Sequence, residues 1–290
     1  YGSGIISRCV TSSSLKDAFS GLGDIDIVQE FGRAMGRMRA GDEREFSAET
    51  GESGTRRIAN KWGDVRVTGA DVTSVSGEAR ITCWASDTEQ AQADVDATAV
   101  NLVRVDDGWD LTTEPGSTNA TRIDLEVTVP RGFGVSVTSA SGDLWLEDLA
   151  GSQAVNTMSG DINVASLGSQ RSDEHVVSTK SGDIVGAALT GDVTLNSLSG
   201  DVSVNGFRGV LRVTTKSGDI IVHDGSGSVE LKAMSGDVQA ELIEVGEEPI
   251  VVSSVSGDAE LRVPAGATLS VDLHTTSGEA SRSEEHTSEL

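Results

Sequence analysis

The residues of this chain whose spacing could support chemistry are the aspartates of a recurring Ser-Gly-Asp triplet. Residues 212–222, RVTTKSGDIIV, show its setting between two alternating apolar-polar segments. Successive triplets are 18, 22, 18, 18, 18, 21 and 21 residues apart. The triplet glycines are Gly142, Gly160, Gly182, Gly200, Gly218, Gly236 and Gly257, and an SGE version lies at Gly278.

Regularly spaced carboxylates could bind a ladder of Ca²⁺ ions, but only one Gly and one Asp recur per repeat. Calcium requires six to eight oxygen ligands, and a second acidic residue recurs only irregularly. The Asp is therefore predicted to accept a backbone N–H in an Asx-type turn, and the Ser to point inward. Stacking would place like charges about 4.8 Å apart, a repulsion of roughly 0.9 kcal/mol in water. No metal site is predicted, and splayed side chains with backbone hydrogen bonds, screening salt or bound cations could each offset this repulsion.

No other set of residues forms a recognisable catalytic or cofactor motif. His175, His223 and His274 occupy non-equivalent positions in the repeats, so they are not a ligand set. The nucleophile turn G-x-S-x-G and a Gly-rich phosphate loop are both missing from the sequence. Cys9 and Cys83 do not have metal-ligand spacing or form a disulfide framework. We therefore predict no catalytic, cofactor-binding or metal-binding residues, and a protein that is not an enzyme.

The four tryptophans leave two interpretations open. They could form a surface on which sugars stack, or they could pack and cap the first strands of the fold. They are Trp62, Trp84, Trp109 and Trp145.

The repeat indicates the fold. Residues two and four after each Gly are usually apolar, as in Ile220 and Val222, and residues five and seven before it are often apolar, as in Leu211 and Val213. The residue three before Gly is small, as in Thr215. Each repeat thus predicts two short strands meeting at Gly, and a period of 18–22 residues is typical of a solenoid. We predict an all-β, parallel β-solenoid with about 18–22 residues per coil.

The chain divides into four parts by its pattern. Residues 1–45 are a lead-in or linker, partly helical or disordered, with Ile27, Phe31, Met35 and Met38 at helical spacing. Residues 46–130 are a strand-rich capping part with one short helix N-capped by Ser86 or Asp87 and a hairpin turning at Asp107-Gly108. Residues 131–280 are the SGD-repeat solenoid. Residues 281–290 are an expected tail, because RSEEHTSEL, from Arg282, matches the translated start of a common sequencing adapter.

Charge restricts the possible partners. The formal net charge is −24, with 46 acidic and 22 basic residues, so nucleic acid and anionic membranes would repel the protein. No run approaches the roughly 18 apolar residues of a membrane-spanning helix, so we expect no transmembrane segment in these residues. The chain begins with Tyr1 rather than Met, and an upstream signal peptide is compatible with this start.

Several segments together resemble a known family. RRIANKWGDVRVTG, a predicted helix, IDLEVTVPRGFGVSVTSASGDLWL and the SGD repeats are similar to the bacterial putative-adhesin, β-strand-repeat domain of unknown function. The V-P-x-G element occurs twice, at Val129 and Val263, and the resemblance covers about residues 46–280. It implies an envelope- or surface-associated protein, and it carries over no catalytic residues.

The sequence therefore favours a non-enzymatic, extracytoplasmic β-solenoid that acts as a rigid scaffold or adhesion surface. Its expected partner is a cell-surface or envelope protein or a glycan, and its oligomeric state is left open. Two alternatives remain at this point: a structural protein that polymerises end to end, and a carbohydrate-active β-helix enzyme.

Overall fold

A computed structural model describes residues 38–49, 55–105, 108–116, 121–168, 170 and 173–285. The predicted helical spacing at Ile27, Phe31 and Met35 lies outside these residues, whereas Met38 begins the first strand. Among the described residues, no helix has the length and apolar composition needed to cross a membrane.

Twenty strands and one helix make up the described structure, and the helix lies between two strands of the N-terminal half. These are β1 (Met38–Glu49), β2 (Thr55–Trp62), β3 (Val65–Ala70), β4 (Ser74–Ala85), α1 (Thr88–Ala97), β5 (Ala99–Val105), β6 (Gly108–Glu114), β7 (Thr121–Pro130), β8 (Val135–Ser141) and β9 (Leu144–Glu147). The C-terminal half contains β10 (Gln153–Thr157), β11 (Ile162–Ala165), β12 (Glu174–Thr179), β13 (Ile184–Ser199), β14 (Val202–Ser217), β15 (Ile220–Ser235), β16 (Val238–Val245), β17 (Ile250–Ser256), β18 (Ala259–Pro264), β19 (Val271–Ser277) and β20 (Ala280–Glu285).

The strands stack as two parallel ladders that meet at the triplet glycines, which confirms the predicted β-solenoid. The ladder preceding each Gly runs through β6, β2, β8, β10, β12, the second halves of β13 to β15, β17 and β19. The ladder following each Gly runs through β7, β3, β9, β11, the first halves of β13 to β15, β16, β18 and β20. Each coil thus contributes one strand segment to each ladder.

The first coil lies earlier in the chain than the SGD repeats. Strands β2 and β3 meet at Gly63, which belongs to a Trp-Gly-Asp triplet and has a positive φ of 119°. The pairs β2–β8 and β3–β9 place this coil directly before the Gly142 coil. Trp62 occupies the place that Ser holds elsewhere, which is why the Ser-Gly-Asp pattern does not include this coil.

Antiparallel strands cover the N-terminal end of the solenoid. Strand β4 pairs antiparallel with both β1 and β7, and β5 pairs antiparallel with β6. The pairing of Val105 with Gly108 confirms the predicted hairpin, while Asp107 of its turn lies outside the described residues. Beyond β4, the antiparallel strands end at β1, which carries many charged side chains. Charged edge strands oppose strand-to-strand aggregation.

Helix α1 confirms the short helix predicted in the N-terminal half, and its N-cap is Asp87 rather than Ser86. The Asp87 carboxylate accepts the backbone N–H of Gln90 at 2.7 Å. At the other end, the Arg44 guanidinium donates hydrogen bonds to the carbonyls of Val95 and Thr98. A cation at the carbonyl end of a helix is favourable, so Arg44 ties β1 to the helix.

The core is a narrow column of aliphatic side chains between the ladders. Inward positions such as Leu144, Ile162, Leu195 and Leu231 are fully buried, and they alternate with outward positions as the sequence predicts. The small residues three before Gly are also inward: Thr157 and Ser254 are buried. Small side chains fit here because the chain bends sharply into the next strand.

Candidate functional site

The triplet glycines form a column in which only glycine fits. Gly200 has φ +148°, and a Cβ added to it would lie 2.1 Å from the carbonyl oxygen of Gly182 in the preceding coil. The same contact recurs between Gly218 and Gly200 and between Gly236 and Gly218, at 2.1–2.2 Å. Both the positive φ and the close backbone approach therefore require Gly at this corner.

The aspartates that follow these glycines form a continuous hydrogen-bonded ladder, which we call the aspartate ladder. In each step a carboxylate oxygen, Oδ1, accepts the backbone N–H of the acidic residue one coil further on. The bonds are 2.8–3.1 Å long and join Asp124, Asp64, Asp143, Asp161, Asp183, Asp201, Asp219, Asp237, Asp258 and Glu279 in that order. The predicted backbone acceptor role is thus correct, but the predicted local Asx turn is wrong, because each bond crosses to the neighbouring coil.

The first two members of the aspartate ladder come from segments outside the SGD repeats. Asp64 belongs to the Trp-Gly-Asp coil, and Asp124 lies on β7, sixty residues later in the chain. Arg122 forms ion pairs with both of them, at 2.6 Å to Asp64 and 2.8 Å to Asp124. A guanidinium therefore neutralises part of the negative charge at this end of the ladder.

The triplet serines do not point inward as predicted. Ser159, Ser199 and Ser235 are exposed, because the strand ends before the Gly and the side chain lies on the outside of the corner. The inward hydroxyl comes instead from the residue three before Gly. Ser254 Oγ donates to the Gly236 carbonyl oxygen at 2.8 Å, and Thr275 Oγ1 donates to that of Gly257 at 2.8 Å.

Two positions interrupt this row of inward hydroxyls. Ala233 has no hydroxyl, and buried Ser139 has an Oγ without a hydrogen-bond partner among the described residues. The equivalent acceptor for Ser139 is the Gly63 carbonyl, which already accepts a hydrogen bond from Asn60 Nδ2 at 3.2 Å. Asn60 also accepts a hydrogen bond from Thr113 at 2.7 Å, so it joins the first coil to the cap.

The aspartate ladder explains how stacked like charges are tolerated. Each inner carboxylate is compensated by one charge-assisted hydrogen bond to a backbone N–H, and such bonds are stronger than bonds between neutral groups. Within the described residues, no group of three or more His, Cys, Asp or Glu side chains is arranged to hold a metal ion. The aspartate hydrogen bonds fasten each corner to the next coil, and in Asp64 and Asp124 the second oxygen, Oδ2, accepts a hydrogen bond from Arg122.

The three histidines have different environments. The His175 ring is completely buried, and its Nε2 lies 3.2 Å from the carbonyl oxygen of Thr190. His223 Nδ1 lies 3.1 Å from a Glu241 carboxylate oxygen, and His274 Nδ1 lies 3.4 Å from Asp272. His175, His223 and His274 thus lie in three separate places and have three different sets of neighbours.

The tryptophans are half-buried in four strands of the N-terminal half. Three of them contact a cation: Lys61 lies 5.3 Å from the Trp62 ring, Arg66 lies 5.3 Å from the Trp145 ring, and Arg104 lies 5.8 Å from the Trp109 ring. Cation–π contacts of this kind orient the rings on the surface of the strands. The packing interpretation accounts for these contacts, whereas sugar stacking is not tested by them.

The outer faces carry clusters of charged side chains that the repeat did not predict. On the ladder that precedes Gly, Arg212 lies 3.7–3.9 Å from Asp192, Glu230 and Glu248. The Lys232 ammonium beside Glu230 lowers the pKa of that carboxyl. Arg212 and its three acidic neighbours come from four different coils, so only the register of stacking brings them together.

An open depression of about 520 Å³ lies on the N-terminal strands β1, β4 and β7. Its lining includes Glu45, Glu78 and Glu126, which are aligned across the three strands. The Arg80 guanidinium donates a hydrogen bond to Glu43, and this bond, together with the charges of Glu43, Glu78 and Glu126, raises the pKa of Arg80. The depression is a shallow acidic surface rather than an enclosed pocket.

Comparisons with known structures return all-β proteins of low sequence identity. A "putative adhesin" from Bacteroides fragilis is 14% identical and covers 74% of this chain and 97% of its own, with a TM-score of 0.47. A "putative cell adhesion protein" from Clostridium sporogenes is 11% identical and covers 69% of this chain and 100% of its own, with a TM-score of 0.39. A "putative adhesin" from Parabacteroides merdae is 13% identical and covers 82% and 95%, with a TM-score of 0.30.

No curated protein matches the chain. The model of one family, described as Toastrack DUF4097, matches residues 126–290, which is more than half of the 290 residues. The match includes the SGD repeats, the aspartate ladder from Asp143 onward and the two parallel ladders from β8 and β9 onward. The chain belongs to the Toastrack DUF4097 family.

Proposed function

We propose that this protein is a non-enzymatic, extracytoplasmic β-solenoid that serves as a rigid scaffold and binding surface in the cell envelope or at the cell surface. Its partner would be an envelope or surface protein or a glycan. Binding would extend along an outer face of the solenoid and would involve side chains from several consecutive coils.

One observation carries this proposal: the coils are uniform inside and different outside. The inward positions that follow Gly are Ile162, Ile184, Val202 and Ile220 in successive coils, and all are fully buried. The outward residues five after Gly range from small and apolar to acidic and basic. This row contains Glu147, Ala165, Ala187, Asn205, His223, Glu241 and Arg262.

The stacking spaces these outward side chains at the distance between paired strands, about 4.8 Å. Because the glycine column and the aspartate ladder hold each coil in register, the outer faces are ordered before a partner binds. A pre-ordered surface loses little conformational entropy on binding, and this favours recognition of an extended partner.

The edge opposite the triplets provides a second source of variation. There the chain passes from the ladder following Gly to the ladder preceding the next Gly, and the connections range from the four residues Gly206–Gly209 to the longer segment between Ala165 and Glu174. Loops on a rigid scaffold commonly carry binding residues, since they tolerate insertion without disturbing the core. Partner contacts are therefore expected on this edge and on the adjoining faces.

Charge favours a neutral or basic partner. With a formal net charge of −24, the protein repels polyanions over several ångströms at physiological ionic strength. Nucleic acid and anionic lipid surfaces are therefore disfavoured, while a neutral glycan or a basic protein surface is compatible with the acidic outer faces.

The test is binding of the purified, labelled protein to a glycan array and to fractionated bacterial envelope proteins. Two matched variants distinguish the faces: Thr214→Arg on the ladder that precedes Gly, and Gln239→Arg on the ladder that follows it. Both side chains are exposed, so neither substitution is expected to change Tm. The expected result is saturable binding that one variant weakens at least tenfold and the other leaves unchanged.

Two results would contradict the proposal. One is release of shortened products from a glycan, which would indicate a carbohydrate-active enzyme. The other is the formation of long filaments as the concentration rises in sedimentation velocity, which would indicate a structural polymer. Failure to bind any envelope fraction or glycan, with folding verified by circular dichroism, would also exclude a binding surface.

A further inference from the structure

His175 is a buried polar side chain in a column of apolar ones. It lies on β12, seven residues before Gly182, and the equivalent inward residues of later coils are Val193, Leu211, Val229 and Ile250. The preceding coil has Gln153 at this position. The amide of Gln153 is satisfied by hydrogen bonds with the backbones of Val135, Phe133 and Gly151, so a polar group is accommodated in that coil.

The His175 ring has only one hydrogen bond among the described residues. Its Nε2 lies 3.2 Å from the Thr190 carbonyl oxygen, so this nitrogen carries the proton and donates. Its Nδ1 is buried and has no hydrogen-bond partner there. Protonation would add a second N–H at Nδ1 and place a full positive charge among aliphatic side chains, at a cost of several kcal/mol for an unpaired buried charge.

The groups around the ring offer little compensation for that charge. On the two paired strands, the direct neighbours of His175 are neutral: Gln153 on β10 and Val193 on β13. The nearby acidic residues are Asp173 and Glu174, just before it in the chain, and Asp192, on β13. Asp173 attracts a proton to the ring, but burial has the larger effect and lowers the pKa of His175 below its ordinary value of 6.5.

The position of His175 in the fold allows its protonation to affect one coil junction rather than the whole solenoid. Its coil contains the 22-residue step between Gly160 and Gly182, whereas the next three steps are each 18 residues. The carbonyl that His175 contacts belongs to Thr190, whose own N–H donates to Leu167 at 2.8 Å across the same coil boundary. Loss of the hydrogen bond between His175 and the Thr190 carbonyl would thus weaken the junction between β12 and β13.

We propose that His175 is a pH-sensitive element of the solenoid, whose protonation opens the junction between β12 and β13 in mildly acidic solution. Protonation and opening are coupled, because the imidazole is exposed to water only in the open state and there holds the proton that the closed coil excludes. The coils of β14 and β15 stay closed, since their equivalent positions are apolar. This inference does not depend on the proposed binding function.

Hydrogen exchange of the full chain at about pH 7.5 and about pH 5 tests the proposal, after correction for the intrinsic pH dependence of amide exchange. If the opened histidine titrates near 6.5 and the closed one does not, opening should increase about 10- to 30-fold over this interval. The increase is expected at the amides of β12 and at Asp192–Thr194 of β13. The amides of β14 between Leu211 and Thr215 should show no such increase.

Three variants complete the experiment. His175→Val should abolish the acid-induced increase, and His175→Gln, which copies Gln153 of the preceding coil, serves if the valine variant fails to fold. His223→Asn, which copies Asn205, replaces an exposed histidine and should leave the increase unchanged. The proposal is overturned if wild-type exchange shows no acid-induced increase, or if the His175 variants retain it.

Discussion

The carboxylate of Asp201 accepts the backbone N–H of Asp219 at 2.8 Å, although the two residues are 18 positions apart in the chain. Asp201 in turn donates its own N–H to Asp183, also at 2.8 Å. Each aspartate between the two ends of the ladder is therefore both acceptor and donor, and removal of one carboxylate affects one coil interface rather than two.

This relationship predicts different effects for two substitutions of Asp201. Asp201→Ala removes the acceptor for the Asp219 N–H and should lower the free energy of unfolding by about 1–2 kcal/mol. Asp201→Asn keeps an oxygen acceptor while removing one charge from the ladder, so it should lose less than half as much. Urea denaturation in low and high salt measures both effects.

The salt dependence provides the control for this pair. Repulsion between neighbouring aspartates is screened by salt, so added NaCl should stabilise the wild type more than Asp201→Asn. Equal destabilisation by both variants at every salt concentration would contradict the prediction, because it would show that a neutral amide oxygen does not replace the carboxylate as acceptor. A melting temperature raised by Ca²⁺ but not by matched NaCl would instead indicate ion binding along the ladder.

Gly200→Ala should destabilise the solenoid by about 3 kcal/mol or more, because the added Cβ meets the Gly182 carbonyl at 2.1 Å and the residue has a positive φ. Thermal unfolding followed by circular dichroism measures this change. Gly132→Ala is the matched control, since a Cβ at Gly132 meets no atom within 4 Å, and its Tm should stay within a few degrees of the wild type. Similar Tm values for both variants would contradict the glycine requirement.

The inward hydroxyls predict a second matched pair. Ser254→Ala removes a 2.8 Å hydrogen bond to the Gly236 carbonyl and should cost about 1 kcal/mol. Ser139→Ala removes a buried hydroxyl that has no hydrogen-bond partner among the described residues, so it should be neutral or slightly stabilising. Chemical denaturation of both variants is the measurement, and a larger loss for Ser139→Ala would show that its hydroxyl has an acceptor in solution.

His175 predicts the sign of one contribution to acid stability. Because burial lowers the pKa of His175 below 6.5, the unfolded state binds more protons than the folded state once the pH falls below about 6.5. The contribution of neutral, buried His175 to the free energy of unfolding is fully present above pH 6.5. It declines as the pH falls from there to the lower pKa of the folded state. The free energy of unfolding of His175→Val should therefore depend less steeply on pH between about 7 and 5 than that of the wild type.

Denaturant titrations at several pH values measure this difference directly. Other groups also contribute to the pH dependence, so the informative quantity is the difference between wild type and variant rather than either curve alone. Parallel curves would mean that His175 binds a proton as readily in the folded state as in the unfolded state.

The sequence by itself determined the solenoid, because its signals are local and repeated. Alternating apolar residues such as Leu211, Val213, Ile220 and Val222 specify which side of each strand faces inward, and the period of 18–22 residues specifies stacking. The helix start, with Ser86 or Asp87 as its N-cap, and the hairpin before Gly108 were also predictable, since both depend on residues that are adjacent in the chain. The glycine corner follows from the same local reasoning.

The tertiary structure alone decided which residues meet across coils. The aspartate bonds cross to the next coil, and Asp124 extends the ladder from a strand sixty residues away from Asp64, a relation that no local pattern contains. The exposed triplet serines and the orphaned nitrogen of His175 likewise depend on how neighbouring coils pack. Side-chain alternation is set by the strand itself, whereas hydrogen-bond partners and burial are set by the register between coils, and register is a property of the folded stack.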